Sequence, residues 1–197
     1  MQFGIGQPVK RKEDPKFLKG LGRYVSDMTL QRQSYAVFVY SNYAHADIKS
    51  IDISAAINLP GVISVLTGRD YVGDGMGPTG GVMPEDMGGP PGHRTSHLPL
   101  AVERVRFVGE RVAVIIAETE EQARDAVDLI AIEYTELPAV VMASDAIKNN
   151  APQVYKEADN NISFTLQSGD SAKVESAFSK ADHITKLSLH NNRIDAV

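Results

Sequence analysis

Residues 105–141, VRFVGERVAVIIAETEEQARDAVDLIAIEYTELPAVV, decide the fold of this 197-residue chain. They read as strand, glycine turn, buried strand, helix, strand. The run RVAVIIA at 111–117 is almost continuously apolar, rich in Val and Ile, and too short for a core helix. Such a run suits a strand covered on both faces. Val108-Gly109-Glu110 before it reads as a tight turn, with Gly109 free to take a positive φ. Thr119 and Gln122 follow at the spacing of a capping box, in which each side chain meets a backbone N–H left unpaired in the first turn. Ala123, Ala126, Val127 and Ile130 recur at i, i+3, i+4 and i+7. That is one narrow apolar stripe, and its alanines let a helix lie close to a sheet. Ile130, Ile132 and Tyr134 alternate with Ala131, Glu133 and Thr135, a strand with one wet face. Leu137-Pro138 ends it, because proline has no N–H for a ladder. The stretch predicts the core of a mixed α/β domain and holds no obvious catalytic group.

Upstream, YAVFVY at 35–40 predicts a second buried strand and VISVL at 62–66 another. IKSIDI at 48–53 also reads as a strand, with Ile48 out of phase with Ile51 and Ile53; a bulge near Lys49-Ser50 would bring all three to one face. Ser54 is an N-cap candidate for a short helical turn ended by Leu59-Pro60-Gly61. Residues 1–22 carry Gly4, Gly6, Pro8, Pro15, Gly20 and Gly22, and predict an extended arm with local turns. Between 72 and 97 the chain places eight of its sixteen glycines and four of its ten prolines. Long structureless loops are uncommon inside domains and are functional or disordered. Mobility is expected over 73–92, where ordering so many glycines costs entropy that few apolar side chains offset. Downstream, residues 142–161 read as a linker with a short helix at 144–148. Residues 162–166 suggest a strand. Asp170 caps a helix with the stripe Val174, Ala177, Phe178 and Ala181, and residues 184–189 suggest a last strand.

The net charge is −5 with both signs interspersed, which argues against a nucleic-acid surface. Lys10-Arg11-Lys12 is interrupted by Glu13 and Asp14 and reads as solvated surface. Cys is absent, so the chain itself supplies no iron–sulfur ligand, disulfide or thiol nucleophile. No apolar run follows Met1 and none reaches membrane-spanning length, so a cytoplasmic protein without membrane contact is expected. Asn161-Ile162-Ser163 then matches a glycosylation sequon by chance.

Gly75-Met76-Gly77-Pro78-Thr79-Gly80 fits G-x-G-x-x-G literally. A dinucleotide site needs a strand leading in and a helix leading out, and the glycines and prolines that follow exclude the helix. No Gly-Lys-Ser/Thr exists. His93 and His97 have the spacing of two zinc ligands on one helix face, but Pro90-Pro91 precede them and Arg94 follows His93, so a solvated loop is expected. His45, His183 and His190 are isolated, and Ser144-Asp145 reads as a cap or turn. No Ser-His-Asp set emerges from spacing.

Three blocks together resemble one family. IGQPVKRKEDPKFLKGLGRYVSDM, AHADIKSIDISAAINLPGVISVLTGRD and LAVERVRFVGERVAVIIAETEEQARDAVDLIAIEYTELPAVV look like the opening of the molybdenum-binding large subunits of the xanthine dehydrogenase, aldehyde oxidase and carbon monoxide dehydrogenase family. The resemblance is nearest to the bacterial three-subunit type. Arg111 departs from it, since the family usually has Pro after Gly-Glu. The resemblance implies an α+β fold: an extended arm at 1–17, an α/β-hammerhead domain at 18–141, a linker at 142–161, and at 162–197 the incomplete strand-helix-strand start of a molybdopterin-binding domain. It implies a structural and assembly role, without catalysis by this chain alone, in an oxidoreductase that hydroxylates aldehydes or heteroaromatic carbons or oxidises carbon monoxide. Molybdopterin-bound molybdenum is implied for the complete enzyme, with iron–sulfur clusters and FAD on partner chains, and none in this chain. Asn191-Asn192-Arg193 resembles the family's Asn-Gln-Arg before a Met-Glu-Pro-Arg block, which this sequence does not reach. No residue carries over as catalytic, cofactor-binding or metal-ligating. Partners implied are the rest of the large subunit and the iron–sulfur and FAD subunits. A second copy, pairing through the C-terminal strand edge, is a further expectation, and a free-standing hammerhead binding module is the alternative reading.

Overall fold

The computed structural model describes Gly6, Pro8 and residues 10–189. They divide into two compact units, one within Met1–Gly80 and Ser96–Val154, the other within Gly81–Thr95 and Tyr155–Val197. The strands are β1 Tyr35–Tyr40, β2 Ala46–Asp52, β3 Val62–Thr67, β4 Arg104–Val105, β5 Arg111–Ala117 and β6 Ala131–Glu136. The helices are α1 Asp14–Phe17, α2 Ser54–Ile57, α3 Gly68–Gly73, α4 Glu120–Val127, α5 Ala143–Ala146 and α6 Ser171–Ser179.

The first unit holds two antiparallel three-stranded sheets, ordered β1-β5-β3 and β4-β2-β6. RVAVIIA is the central strand of the first sheet, paired on both edges. Its alternate residues Ala113, Ile115 and Ala117 face α4 and are fully buried with Ala123 and Ala126. Small residues on both sides allow this close helix-to-sheet approach. Thr119 caps α4 as its spacing predicts: its Oγ1 accepts the Gln122 N–H at 3.2 Å, and Gln122 Oε1 accepts the Thr119 N–H at 3.1 Å. Gly109 takes φ +88° in the turn before β5.

Covering on both faces, expected for β5, is found on one. Val114 and Ile116 point to the other side and are half-buried. Val112 is the extra residue of a bulge, since Tyr40 pairs with Arg111 and Val39 with Ala113. The bulge turns Val112 into a second apolar cluster with Ala46, Ala101 and Val105. Ile132 on β6 packs against both clusters. The bulge expected near Lys49-Ser50 is present, between Ile48 and Ser50. It does not gather all three isoleucines, however: Ile48 and Ile51 join the second cluster and Ile53 the first.

Other expectations need correcting. The arm contains one helical turn, α1, begun by Asp14-Pro15, because Pro is tolerated where the first N–H has no partner. Ser54 is the first residue of α2; its N–H is taken by Asp52 Oδ1 at 2.9 Å. In the second unit α6 forms, capped by Asp170, whose Oδ1 accepts the Lys173 N–H at 3.0 Å. Its flanking strands do not. Residues 184–189 have no strand pairing, and 162–166 contribute one bridge, Phe164 to Gly92. A strand needs a neighbour for its ladder, and among the described residues 184–189 pair with none. The open strand edge expected for pairing with a second copy is therefore not formed there, and Val174 and Phe178 on α6 stay exposed.

Candidate functional site

The second sheet brings the buried polar groups of the first unit together. β2 and β4 place Asp47 opposite Arg104, and Arg104 Nε donates to Asp47 Oδ1 at 2.6 Å with the arginine 8% exposed. Arg106 follows two residues on, and its Nη1 donates to the Arg104 carbonyl at 3.2 Å. Glu110, 4% exposed, closes the turn around Gly109: its Oε2 accepts the Arg106 N–H, and its Oε1 lies 3.9 Å from Arg106 Nη1. Burial pushes the Glu110 carboxyl above the ordinary carboxylate range, opposed by the Arg106 N–H and guanidinium. Ser41 joins the same turn, exchanging backbone hydrogen bonds with Glu110 and Gly109 at 2.8 and 2.7 Å. Desolvation also raises the Tyr134 phenol, with the Ser41 hydroxyl pulling the other way.

Asp47, Arg104, Arg106 and Glu110 are occupied with one another. A buried carboxylate held by the backbone N–H of Arg106, within the same turn, pins the β4–β5 connection, and a buried guanidinium held by a neighbouring strand pins β4 to β2. Sequence reasoning did not single out Asp47, Arg104, Arg106 or Glu110. Asp47 and Arg104 lie 57 residues apart, and only the strand pairing joins them.

His45, buried, uses Nδ1 to donate to the Pro138 carbonyl at 2.8 Å, tying β2 to the segment after β6. His97 is exposed beside the Phe107 ring, their centroids 6.4 Å apart. His93 lies in the second unit, where its N–H donates to the Ser163 carbonyl at 2.6 Å. The two histidines share no helix. His183 lies 3.2 Å from the Thr185 hydroxyl, and His190 is outside the described residues. Among the described residues no group of three or more His, Asp and Glu could hold a metal ion. None of their helices is long and apolar enough to cross a membrane.

The Gly/Pro loop is not structureless, contrary to expectation. Helix α3 precedes G-x-G-x-x-G where a dinucleotide site needs a strand, and a 3-10 turn at Pro84–Met87 follows. Within 81–95 the chain folds around Arg94. Its Nη1 donates to the Gly81 carbonyl at 2.6 Å, and its Nη2 reaches both carboxylate oxygens of Asp86 at 2.7 Å and Glu85 at 3.6 Å. Hydrogen bonding from Arg94, then from the Met83 N–H, holds the Asp86 carboxyl below its usual range. Gly92 has no room for a side chain, since a Cβ there would lie 2.6 Å from the Ser163 carbonyl. One charged side chain thus organises a segment whose composition predicts disorder.

The resemblance implies molybdopterin for the complete enzyme, and the caps of the two longest described helices bear on where its phosphate would sit. Such a group carries phosphate and needs free N–H donors, as at an open helix N-terminus. In α4 and α6, the two longest helices, the Gln122 and Lys173 N–H groups are already held by Thr119 and Asp170.

Two small antiparallel sheets with a helix on the first define an α+β domain of hammerhead type. Residues 19–138 match the family described as aldehyde oxidase and xanthine dehydrogenase, a/b hammerhead domain, and the chain belongs to that family. It is 35% identical over 195 residues to the nicotine 6-hydroxylase large subunit of Paenarthrobacter nicotinovorans, covering 98% of this chain and 23% of that one. It is similar to the crystal structure of quinoline 2-oxidoreductase from Pseudomonas putida 86, with TM-score 0.67 and 36% identity over 79% of this chain and 19% of that one. It is likewise similar to a Cu,Mo-CO dehydrogenase in its carbon monoxide reduced state, with TM-score 0.66 and 31% identity over 91% of this chain and 23% of that one. The chain therefore spans about a quarter of the length of the curated relatives it matches, or less.

Proposed function

We propose that this chain is the hammerhead portion of a molybdenum hydroxylase large subunit, acting as a structural and assembly element. In this reading residues 1–17 form the arm, 18–141 the hammerhead domain, 142–161 a linker and 162–197 the opening of a cofactor-binding domain. The observation that carries it is the use of the buried charges: Arg104 on Asp47 and Glu110 on Arg106 hold strands and turns in register. The "large subunit" in the name of the nicotine 6-hydroxylase relative supports a multi-chain assembly, and the Cu,Mo-CO dehydrogenase likeness supports molybdenum chemistry. The metal, bound through molybdopterin by polypeptide other than these residues, would supply the oxidation, and iron–sulfur and FAD chains would carry electrons away. The test replaces the matched segment of the nicotine 6-hydroxylase large subunit with this chain. The chimera is expected to assemble, take up molybdenum and keep hydroxylase activity. An unassembled chimera, with the parent enzyme assembling normally, would overturn the proposal.

A further inference from the structure

Residues 162–166, ISFTL, read as a strand and carry three exposed apolar side chains, Ile162, Phe164 and Leu166. An extended segment of this kind with a bare backbone edge is a template for pairing with another chain. In the second unit that edge is covered by the Gly/Pro loop. Gly92 bridges Phe164 in antiparallel register. The His93 N–H donates to the Ser163 carbonyl at 2.6 Å, and the Ser163 hydroxyl donates to the His93 carbonyl at 3.2 Å. So close an approach requires glycine at 92, where a Cβ would lie 2.6 Å from the Ser163 carbonyl oxygen and 2.9 Å from Phe164 Cβ.

The loop covers this edge without presenting a new one. The register sets Pro91 against Thr165 and Pro90 against Leu166, and neither proline has an N–H to extend the ladder. Successive N–H groups of an extended chain point to opposite sides, so the Gly92 N–H faces away from Ser163. There it donates to Glu85 Oε2 at 3.2 Å and offers nothing to a further strand. Arg94 gathers Glu85, Asp86 and the Gly81 carbonyl and so keeps the loop folded back. Proline, an occupied N–H and clustered charge are the means by which exposed strand edges are kept from pairing. We propose that residues 81–95 act as a strap, which closes the edge of 162–166 and keeps this chain from pairing through it with a second copy.

The experiment uses the full chain and four variants: Gly92→Val, Arg94→Ala, Gly92→Val combined with Thr165→Pro, and Gly80→Val. Gly80 lies in the same glycine-rich stretch with open space around it and serves as control. Exchange of the His93 N–H, corrected for the neighbouring side chain, reads the strap, and sedimentation equilibrium reads pairing. In Gly92→Val this exchange is expected to be about tenfold faster than in wild type, as for loss of a hydrogen bond and a close backbone contact. The same variant is expected to associate as concentration rises, while wild type and Gly80→Val stay monomeric. Adding Thr165→Pro, which removes an N–H from the freed edge, is expected to restore the monomer. If Gly92→Val also lowers the protection of Ile115, so that the fold itself is disturbed, Arg94→Ala decides by the same two readings. Unchanged exchange overturns the inference, and so does faster exchange without association. Association that Thr165→Pro leaves in place, or a wild-type chain that already pairs, overturns it as well.

Discussion

Asp47 and Arg104 stand opposite each other on neighbouring strands, and the 2.6 Å ion pair between them is unevenly buried: the arginine side chain is 9% exposed and the aspartate 38%. Removing the aspartate leaves a desolvated guanidinium unpaired. Asp47→Ala should cost about 1–3 kcal/mol, below the range of a fully buried pair because water reaches the site. Replacing both residues, Asp47→Leu with Arg104→Met, should recover much of that loss. Urea denaturation of the three variants checks this, and a double variant as unstable as the single one would contradict it.

Glu110 makes a pH prediction. Burial favours its protonated form, so the folded protein holds that proton to a higher pH than the unfolded chain does. Folding then weakens as pH rises through that window. Glu110→Gln removes the effect, and its carbonyl oxygen can still accept the Arg106 N–H. Relative to wild type, the variant should gain stability between about pH 4 and about pH 7. Urea midpoints at both values decide it, and a difference that stays constant would mean the carboxyl titrates normally.

The two faces of β5 should respond differently to truncation. Ile115 is fully buried against α4, so Ile115→Ala should cost about 2–4 kcal/mol in lost burial and cavity. Val114 lies on the open face, and Val114→Ala should cost about 1 kcal/mol or less. Equal losses would show that both faces are covered in the isolated chain.

Arg94→Ala should change the melting midpoint little, because exposed ion pairs contribute about 1 kcal/mol or less. Its effect should be local. The N–H groups of Met83, Gly92 and His93, each bonded in the folded loop, should exchange with solvent faster in the variant. Unchanged exchange would mean that Arg94 decorates the loop without ordering it.

The strands and α4 were legible because their causes are local: period, capping spacing and a glycine turn act within a few residues. Thr119 with Gln122, and Gly109, are read correctly for that reason. The polar framework was not legible because its partners are distant. Arg104 finds Asp47 through strand pairing, and Arg94 finds Asp86 and Gly81 through a turn that composition does not encode. The strand expected at 184–189 failed for a related reason: alternation of Leu187 and Leu189 describes a willing strand, while a ladder requires a neighbour. Likewise the apolar run of β5 foretells cover on both faces, and only its α4 face finds that cover.

Strand order also bears on synthesis. β5 is the middle strand of the first sheet, yet β1 and β3, which flank it, are both made earlier. Until residue 117 leaves the ribosome, those two strands have no shared neighbour to pair with. Ile132, which packs against both apolar clusters, emerges later still. A nascent chain shorter than that closes neither core, and displays Val37, Val39 and Val65 to solvent or to chaperones. Folding is then postponed to the arrival of one short stretch, and a ribosomal pause before residue 132 would lengthen the exposure.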